Sequence, residues 1–120
     1  MNKRTVLYFA CTLVLLMVGL IVSLHAAGVF SGSNTCPSSG AKRVASTNTR
    51  AIAVSFFAPA GNMGLIHYGD STVSTSVGYS TAASATFSLY PAGNAAVYDL
   101  YNIWFACSNS ADTIRFTYVQ

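Results

Sequence analysis

Apolar and polar side chains alternate along short runs in the second half of the chain. The run AIAVSFFAP places Ile52, Val54 and Phe56 on one face of a strand, with small side chains between them. The closing run TIRFTYV alternates in the same way, with Ile114 and Phe116 on one face. A period of two over four to eight residues is typical of a half-buried β-strand. We therefore expect strands rather than helices in this part of the protein.

Runs of this kind follow one another from residue 51 to residue 120, separated by glycine, proline, asparagine, aspartate or serine. About six to eight short strands spaced by such turns predict an all-β domain, built as a small antiparallel β-sandwich or barrel. Asp99 is suited to cap a single helical turn in DLYNIWF. The core is expected to contain the largest apolar side chains of the runs, whose burial favours folding. These are Phe56, Phe87, Trp104, Phe105 and Ile114.

The N-terminus follows a different pattern, because residues 5–24, TVLYFACTLVLLMVGLIVSL, contain no charge. As a helix, this run spans about 30 Å, the thickness of the hydrocarbon core of a bilayer. We expect an uncleaved transmembrane anchor over residues 1–27 that contacts the lipid bilayer through residues 5–24. Lys3 and Arg4 precede the run and the next charge is Lys42. The positive-inside rule therefore places the N-terminus inside and the β-domain outside, as a single-pass protein.

The alternative for this segment is a signal peptide that is cleaved after Ala26 or Ala27. Signal peptides have shorter apolar runs, of about 7–15 residues, and end at a pair of small side chains. Cleavage here would place Leu24 or His25 where a small side chain is needed. This mismatch favours the anchor.

Residues 28–50, GVFSGSNTCPSSGAKRVASTNTR, have the composition of a linker. They are rich in Ser, Thr, Gly and Asn and include Pro37, as in loops and extended stalks. We expect this segment to hold the β-domain away from the membrane, with an edge strand near residues 44–47 as the only regular structure.

Charge is scarce in this chain of 120 residues, which has six Lys or Arg and three acidic residues, all of them Asp. The basic residues form no dense stripe that would neutralise phosphates, so nucleic acid is not an expected partner. There is no glycine-rich phosphate loop and no pair of acids suited to acid–base chemistry. We therefore expect no cofactor, no small-molecule substrate and no enzymatic activity.

The stretch GNMGLIHYGDSTVS is the one place where scarce polar residues gather. His67, Asp70 and Ser71 have the residue types of a hydrolytic triad. Residues this close in a strand and turn diverge, however, and Gly-Asp-Ser is a common turn composition. A calcium site is a further alternative, which would need Asp70, Asp99 and Asp112 to meet from separate loops. We expect a strand and turn, with no catalytic and no metal-binding residues.

The three cysteines fall on both sides of the anchor boundary. Cys11 lies within the apolar run, while Cys36 and Cys107 lie in the part expected outside. A disulfide between the latter two would join the linker to the β-domain and stabilise it by about 3–5 kcal/mol. Sequence leaves open whether they form a disulfide or remain two thiols.

Three stretches of the β-rich part carry a resemblance to a known group of proteins. They are FFAPAGNMGLIHYGDSTVSTSVGY, ATFSLYPAG and DLYNIWFACSNSADTIRFTYV. Together they resemble a pattern that recurs in small virion proteins encoded by bacteriophages, over about 70 residues from Arg50 to the C-terminus. The matching positions are Asn62, Gly64, Tyr68, Gly69, Val73, Gly78, Asp99, Leu100 and Ile103.

The resemblance implies a β-sandwich-like structural module with no catalytic residues. The anchor departs from that family, so the combined expectation is a virion protein of a bacteriophage with a lipid membrane. It would reside in the host cell membrane before assembly and then tether or cement the capsid to the virion membrane. The expected partners are capsid subunits or copies of the protein itself, as an oligomer. Their expected contacts are His67, Tyr68, Asp70, Tyr79 and Tyr90.

A second interpretation is a bacterial surface protein tethered to the membrane, or a pilin-like structural protein. An apolar N-terminal helix followed by a β-rich head is also the layout of type IV pilins. The apolar run has no glutamate near its start and no Gly-Phe processing site, which counts against this alternative.

Overall fold

The computed structural model describes residues 28–90 and 97–120. The predicted anchor at residues 5–24 lies outside them. Within the described residues, we find no helix with the length and apolar character needed to span a membrane.

The described residues form ten strands and one short 3₁₀ turn. In chain order the strands are β1 (Val29–Thr35), β2 (Ala41–Arg43), β3 (Arg50–Ala51), β4 (Ala53–Phe57), β5 (Ile66–Gly69), β6 (Tyr79–Thr81), β7 (Thr86–Leu89), β8 (Tyr98–Asp99), β9 (Trp104–Cys107) and β10 (Thr113–Val119). The 3₁₀ turn spans Leu100–Asn102, and the Asp99 side chain caps it by accepting a hydrogen bond from the Tyr101 backbone N–H. The expected all-β, antiparallel character and this cap are confirmed.

The strands form two four-stranded antiparallel sheets. Sheet 1 has the order β1-β10-β4-β7, sheet 2 has the order β2-β9-β5-β6, and β3 pairs with β8 beside them. Without β3 and β8, the eight remaining strands pair first with eighth, second with seventh, third with sixth, and fourth with fifth. These nested pairs, divided between two sheets, give the strand order of a jelly roll.

Aromatic side chains from both sheets meet in the core between them. The ring of Phe56 on β4 lies 5.0 Å from that of Tyr68 on β5, and the ring of Phe87 on β7 lies 5.5 Å from that of Tyr68. Phe56, Phe105 and Ile114 are fully buried, as expected from the alternation. The two sheets are therefore packed face to face through their apolar faces.

Two residues expected on the inner face lie elsewhere. Trp104 is half-buried and lies on the outer face of sheet 2, because its neighbour Phe105 takes the inner position and successive side chains alternate. Ile52 is exposed because a bend at this residue separates β3 from β4 and interrupts the alternation.

The expected linker at 28–50 is corrected by the structure, since this segment supplies β1, β2 and the first residue of β3. β1 pairs with β10 along its whole length, from Val29 opposite Val119 to Thr35 opposite Thr113. Alternation of apolar residues is absent from β1 because Gly32 and Asn34 occupy inner positions. The Phe116 ring lies directly over Gly32, where an added Cβ would be 2.5 Å from the ring. The aromatic side chain of the neighbouring strand thus covers a position that β1 leaves empty.

Candidate functional site

The polar cluster around His67 does not assemble into a catalytic arrangement. His67 lies in the middle of β5 and is buried, and its Nε2 has no hydrogen-bond partner among the described residues. Asp70 lies beyond the strand, where its Oδ1 accepts hydrogen bonds from the Thr72 backbone N–H (2.8 Å) and the Thr72 hydroxyl (2.6 Å). These two bonds lower the pKa of the Asp70 carboxyl. The carboxylate is therefore committed to its own turn and does not orient the histidine.

Of the five expected contact residues, two are inaccessible. His67 and Tyr68 are 7 % and 2 % exposed, because β5 lies between β6 and β9 in sheet 2 and is covered on both faces. Asp70 is exposed, and Tyr79 and Tyr90 are 56 % and 69 % exposed. Hence His67 and Tyr68 are corrected from surface contacts to buried residues, while the other three remain available to a partner.

Tyr79 also has a structural role at the side of the sandwich where β6 and β7 lie. Its ring stacks on that of Phe87 with 4.3 Å between centroids, which links the edge strand of sheet 2 to the edge strand of sheet 1. The β6–β7 side of the sandwich is closed by this aromatic pair.

Cys36 and Cys107 form a disulfide, the pairing that the sequence left open. Cys36 follows β1 and is buried, and Cys107 is the last residue of β9. The bond therefore joins sheet 1 to sheet 2 across a sequence separation of 71 residues.

Asp112 carries a role that sequence reasoning missed. Its side chain is buried and accepts hydrogen bonds from the backbone N–H groups of Met63 and Gly64, both at 2.8 Å. Nearby, the Asn62 amide donates to the Thr113 carbonyl and accepts from the Thr113 N–H. These four bonds fasten the loop between β4 and β5 to the start of β10.

One sequence signal for this loop contact was present in Asn62-Met63-Gly64. Gly64 has little room for a side chain, since an added Cβ would lie 3.0 Å from the Asn109 backbone nitrogen. The Asn-x-Gly spacing belongs to the pattern that carries the resemblance, but nothing in the sequence indicates that Asp112, 48 residues away, binds the two amides.

The third aspartate, Asp99, serves another loop. Its Oδ1 accepts from the Thr49 backbone N–H at 2.9 Å and the Tyr101 N–H at 3.1 Å. The three carboxylates thus bind three separate sets of donors. In the described part of the chain, no three His, Cys, Asp or Glu side chains group in a way that could hold a metal ion.

Arg43 contributes an aromatic contact beside the same turn. Its guanidinium carbon lies 3.6 Å from the ring centroid of Tyr101 and 4.6 Å from that of Trp104. Cation–π contacts of this kind stabilise a structure by about 0.5–2 kcal/mol. Arg43 therefore fixes the 3₁₀ turn against sheet 2, and its charge is covered by two rings.

The opposite side of the sandwich, between β1 and the segment 44–49 that follows β2, is open. A cleft of about 310 Å³ lies there. Among the described residues that line it, Val44, Leu100, Phe116 and Tyr118 are large and apolar, and Lys42 is the one that is charged. The Asn34 side chain crosses it by donating a hydrogen bond of 2.7 Å to the Val44 carbonyl. This cleft and the adjoining edge of β1 form the candidate interaction site.

Among the described residues, the edge of β1 that faces away from β10 pairs with no strand, and it has a defined set of backbone groups. Beyond the two ends of the strand, Gln120 N–H donates to the Gly28 carbonyl and Cys36 N–H donates to the Asp112 carbonyl. Both bonds belong to even-numbered residues, so the even-numbered residues of β1 direct their backbone N–H and C=O groups toward β10. Because this direction alternates along an antiparallel strand, the backbone groups of the odd-numbered residues point away from β10. The backbone groups of Val29, Ser31, Ser33 and Thr35 consequently face the open side.

Comparisons with known proteins place no relative beside this chain: no protein-family model, no curated protein and no solved structure matches it. The interpretation of the site consequently relies on its geometry and on the chemistry of its residues.

Proposed function

We propose that the protein is a membrane-anchored structural protein of a virion, from a bacteriophage with a lipid membrane. In this proposal, residues 5–24 hold it in the bilayer and the β-domain tethers or cements the capsid to that membrane. The observation that carries the proposal is the nested strand order of the two sheets, because jelly rolls of this type recur in viral capsid proteins.

Jelly rolls also occur in lectins and enzymes, so the strand order alone does not distinguish a virion protein from these classes. The surface chemistry of sheet 1 gives further support for a virion protein. The outer face of sheet 1 carries a row of hydroxyl side chains across all four strands. In register these are Ser31, Thr117, Ser55 and Ser88. Ser55 and Ser88 share a hydrogen bond of 2.8 Å between their hydroxyls. Arg115 and Phe57 lie beside this row on the same face. The row itself is short and uncharged, which supports close packing against neighbouring subunits along it, since interface cores are depleted in charge.

The point at which the anchor meets the β-domain follows from the ends of β1 and β10. The described chain begins at Gly28, whose carbonyl accepts a hydrogen bond from the Gln120 N–H at 3.1 Å. Both the start of β1 and the end of β10 therefore lie at one end of sheet 1. In the proposed arrangement the anchor joins the β-domain at this end.

The proposal is tested on purified particles by following the protein during stepwise disassembly. We expect it to copurify with intact virions and to stay with the membrane vesicle after the protein shell is removed under mild conditions. Recovery from particles as a soluble species without residues 1–27, or absence from particles, would contradict the proposal. Recovery from the envelope of uninfected cells would instead favour the bacterial surface or pilin-like alternative.

A pair of variants tests the anchor itself. Leu15→Arg places a charge at the centre of the apolar run, at a cost of about 2.5–3.5 kcal/mol for membrane insertion. Asn2→Arg adds the same charge beside Lys3 and Arg4, where the positive-inside rule favours it. We expect only Leu15→Arg to shift the protein from the membrane fraction to the soluble fraction after alkaline extraction. Equal behaviour of the two variants would contradict an anchor in this segment.

A further inference from the structure

We propose that β1 is a self-association edge, through which two copies of this protein pair antiparallel about a two-fold axis at Gly32. The partner is thus a second copy, and the two copies of sheet 1 join into one eight-stranded sheet. This inference deepens the proposed structural role, and its biological setting rests on that role. The pairing itself is a property of the purified chain.

β1 lacks the features by which proteins protect an edge strand. Edge strands are commonly short, carry lysine or proline, or contain a bulge. β1 has seven residues, VFSGSNT, without a charge or a proline, and it pairs with β10 in unbroken register. The backbone groups of its odd-numbered residues face the open side. Such an edge is a template for another strand.

The other edges of the two sheets are less suited to this pairing. β2 has three residues and includes the basic pair Lys42 and Arg43. β6 has three residues and β7 has four, and the Tyr79–Phe87 stack closes that side of the sandwich. Among the described strands, β1 is therefore the longest uncharged edge beside an open cleft.

β1 is complementary to itself in this orientation. A two-fold axis at Gly32 places Ser31 opposite Ser33 of the second copy, and Val29 opposite Thr35. All four are odd-numbered, so each pair brings free N–H and C=O groups from both copies face to face. Hydrogen-bonded pairs of an antiparallel sheet exchange two bonds each. The axis is consistent with the closed two-fold symmetry that is commonest among soluble oligomers.

The side chains beside this seam are compatible with the pairing. On the outer face, serine meets serine, with no like charges opposed. On the inner face, Phe30 lies opposite Asn34 of the second copy, which lines the cleft. Phe30 stacks on Tyr118 and is 44 % exposed in one copy. Pairing would cover this exposed ring at the mouth of the neighbour's cleft.

The test uses the full chain in detergent micelles and measures its mass over a range of protein concentrations. We expect a concentration-dependent dimer. Ser31→Pro and Ser33→Pro each remove one N–H from the free edge while leaving the bonds to β10, and proline is tolerated at such positions. We expect at least a tenfold weaker dimer in each. Ser31→Ala and Ser33→Ala keep the backbone donor and are expected to dimerise as the unaltered chain does.

Amide hydrogen exchange locates the contact within the chain. We expect dimerisation to slow exchange at Ser31 and Ser33 and to leave Gly32 unchanged, because the Gly32 N–H already faces β10. A chain that remains monomeric, or a dimer that both proline variants retain, would overturn the inference. Thermal unfolding followed by Trp104 fluorescence verifies that each variant is folded.

Charge variants keep the inference testable if the proline variants fail to fold. Ser31→Lys with Ser33→Lys places lysines opposite one another in the proposed register, and Ser31→Glu with Ser33→Glu does the same with carboxylates. We expect each double variant alone to be monomeric and an equal mixture to form the mixed dimer. The absence of mixed dimers would contradict the register. None of these outcomes depends on whether the protein is found in particles.

Discussion

The side chain of Asp112 satisfies two loop amides that no strand pairs. It reaches the Met63 and Gly64 N–H groups while it is itself buried. A buried carboxylate without such donors would be strongly unfavourable, so the loop and the carboxylate depend on each other. At the scale of single residues, this polar contact complements the apolar burial that the alternation predicts.

Replacing Asp112 by alanine removes the acceptor of the Met63 and Gly64 N–H groups, whose hydrogen bonds are part-buried. Hydrogen bonds to charged groups contribute about 1.5–3 kcal/mol each, and we expect Asp112→Ala to lower the free energy of unfolding by about 2–4 kcal/mol. Denaturant unfolding of the full chain in detergent, followed by Trp104 fluorescence, measures the change. Asp70→Ala is the matched control, because Asp70 is exposed and binds only its own turn. Equal losses in the two variants would show that the Asp112 contacts contribute little.

The stability of the β-domain depends on pH through the buried side chain of Tyr68. Burial raises the pKa of its phenol above the ordinary value of 10.0. Its hydroxyl and the Thr81 hydroxyl are buried without a hydrogen-bond partner among the described residues, so no bond offsets this rise. Since the folded pKa exceeds the unfolded one, this contribution to stability is complete below pH 10 and is lost as pH rises through the folded pKa.

We expect Tyr68→Phe to keep the contacts with Phe56 and Phe87 and to remove the buried hydroxyl. Its thermal midpoint at pH 7 should be unchanged or higher, and the decline above pH 10 should be shallower than in the unaltered chain. Melting curves between pH 7 and pH 11 measure both effects, with Tyr79→Phe as the control at an exposed tyrosine. A large loss of stability at pH 7 would indicate that the Tyr68 hydroxyl has a bound partner.

At the scale of elements, the turn between β5 and β6 depends on one glycine. Gly78 has a φ of +123°, a backbone conformation that other residues rarely adopt. An added Cβ would also lie 2.6 Å from the Tyr68 carbonyl oxygen and 2.7 Å from Val73. This close approach lets Val73 pack between the two ends of the turn, with Gly69 on its other side.

Alanine at this position should therefore destabilise sheet 2. We expect Gly78→Ala to lower the free energy of unfolding by about 2–3 kcal/mol, from backbone strain and the contact with Tyr68 together. Gly61→Ala is the control, because a Cβ at Gly61 would meet nothing within 4 Å. Parallel urea titrations compare the two, and a Gly78→Ala variant as stable as Gly61→Ala would contradict the role of this turn.

The hydrophobic pattern predicted several strands of the β-rich part because their inner side chains are large. It missed β1 and β2, where the inner positions are occupied by Gly32, Asn34 and Lys42. Pairing with β10 supplies the hydrogen bonds of β1, and Phe116 supplies the apolar surface over Gly32. The apolar side chains that cover the inner face of β1 belong to the neighbouring strand, so β1 itself shows no alternation of apolar residues. Its local sequence therefore does not distinguish it from a linker.

At the scale of the whole molecule, the disulfide joins the two sheets at one end of β9. Closing a loop of this length restricts the unfolded chain, and the expected stabilisation is about 4 kcal/mol. The sandwich of a small domain buries a limited share of its surface, so this bond contributes a sizeable part of its stability.

We expect Cys36→Ser with Cys107→Ser to lower the free energy of unfolding by about 3–5 kcal/mol. Thermal and denaturant unfolding of the full chain measure the loss, and reduction of the unaltered protein with dithiothreitol should reproduce it. Cys11→Ser is the matched control, since this cysteine lies in the predicted anchor. A reduced protein as stable as the oxidised one would contradict this contribution.

The amino-acid sequence by itself determined the all-β character, the turn positions and most of the core, because alternation and turn residues act locally. It also identified Cys36 and Cys107 as the one pair of cysteines outside the predicted anchor, and so as the candidate pair for a disulfide. Only the tertiary structure decided the jelly-roll order, the place of β1, the burial of His67 and Tyr68, and the role of Asp112. Each of these depends on contacts between residues far apart in the chain. Such contacts follow from how strands pair and sheets stack, which no local pattern encodes.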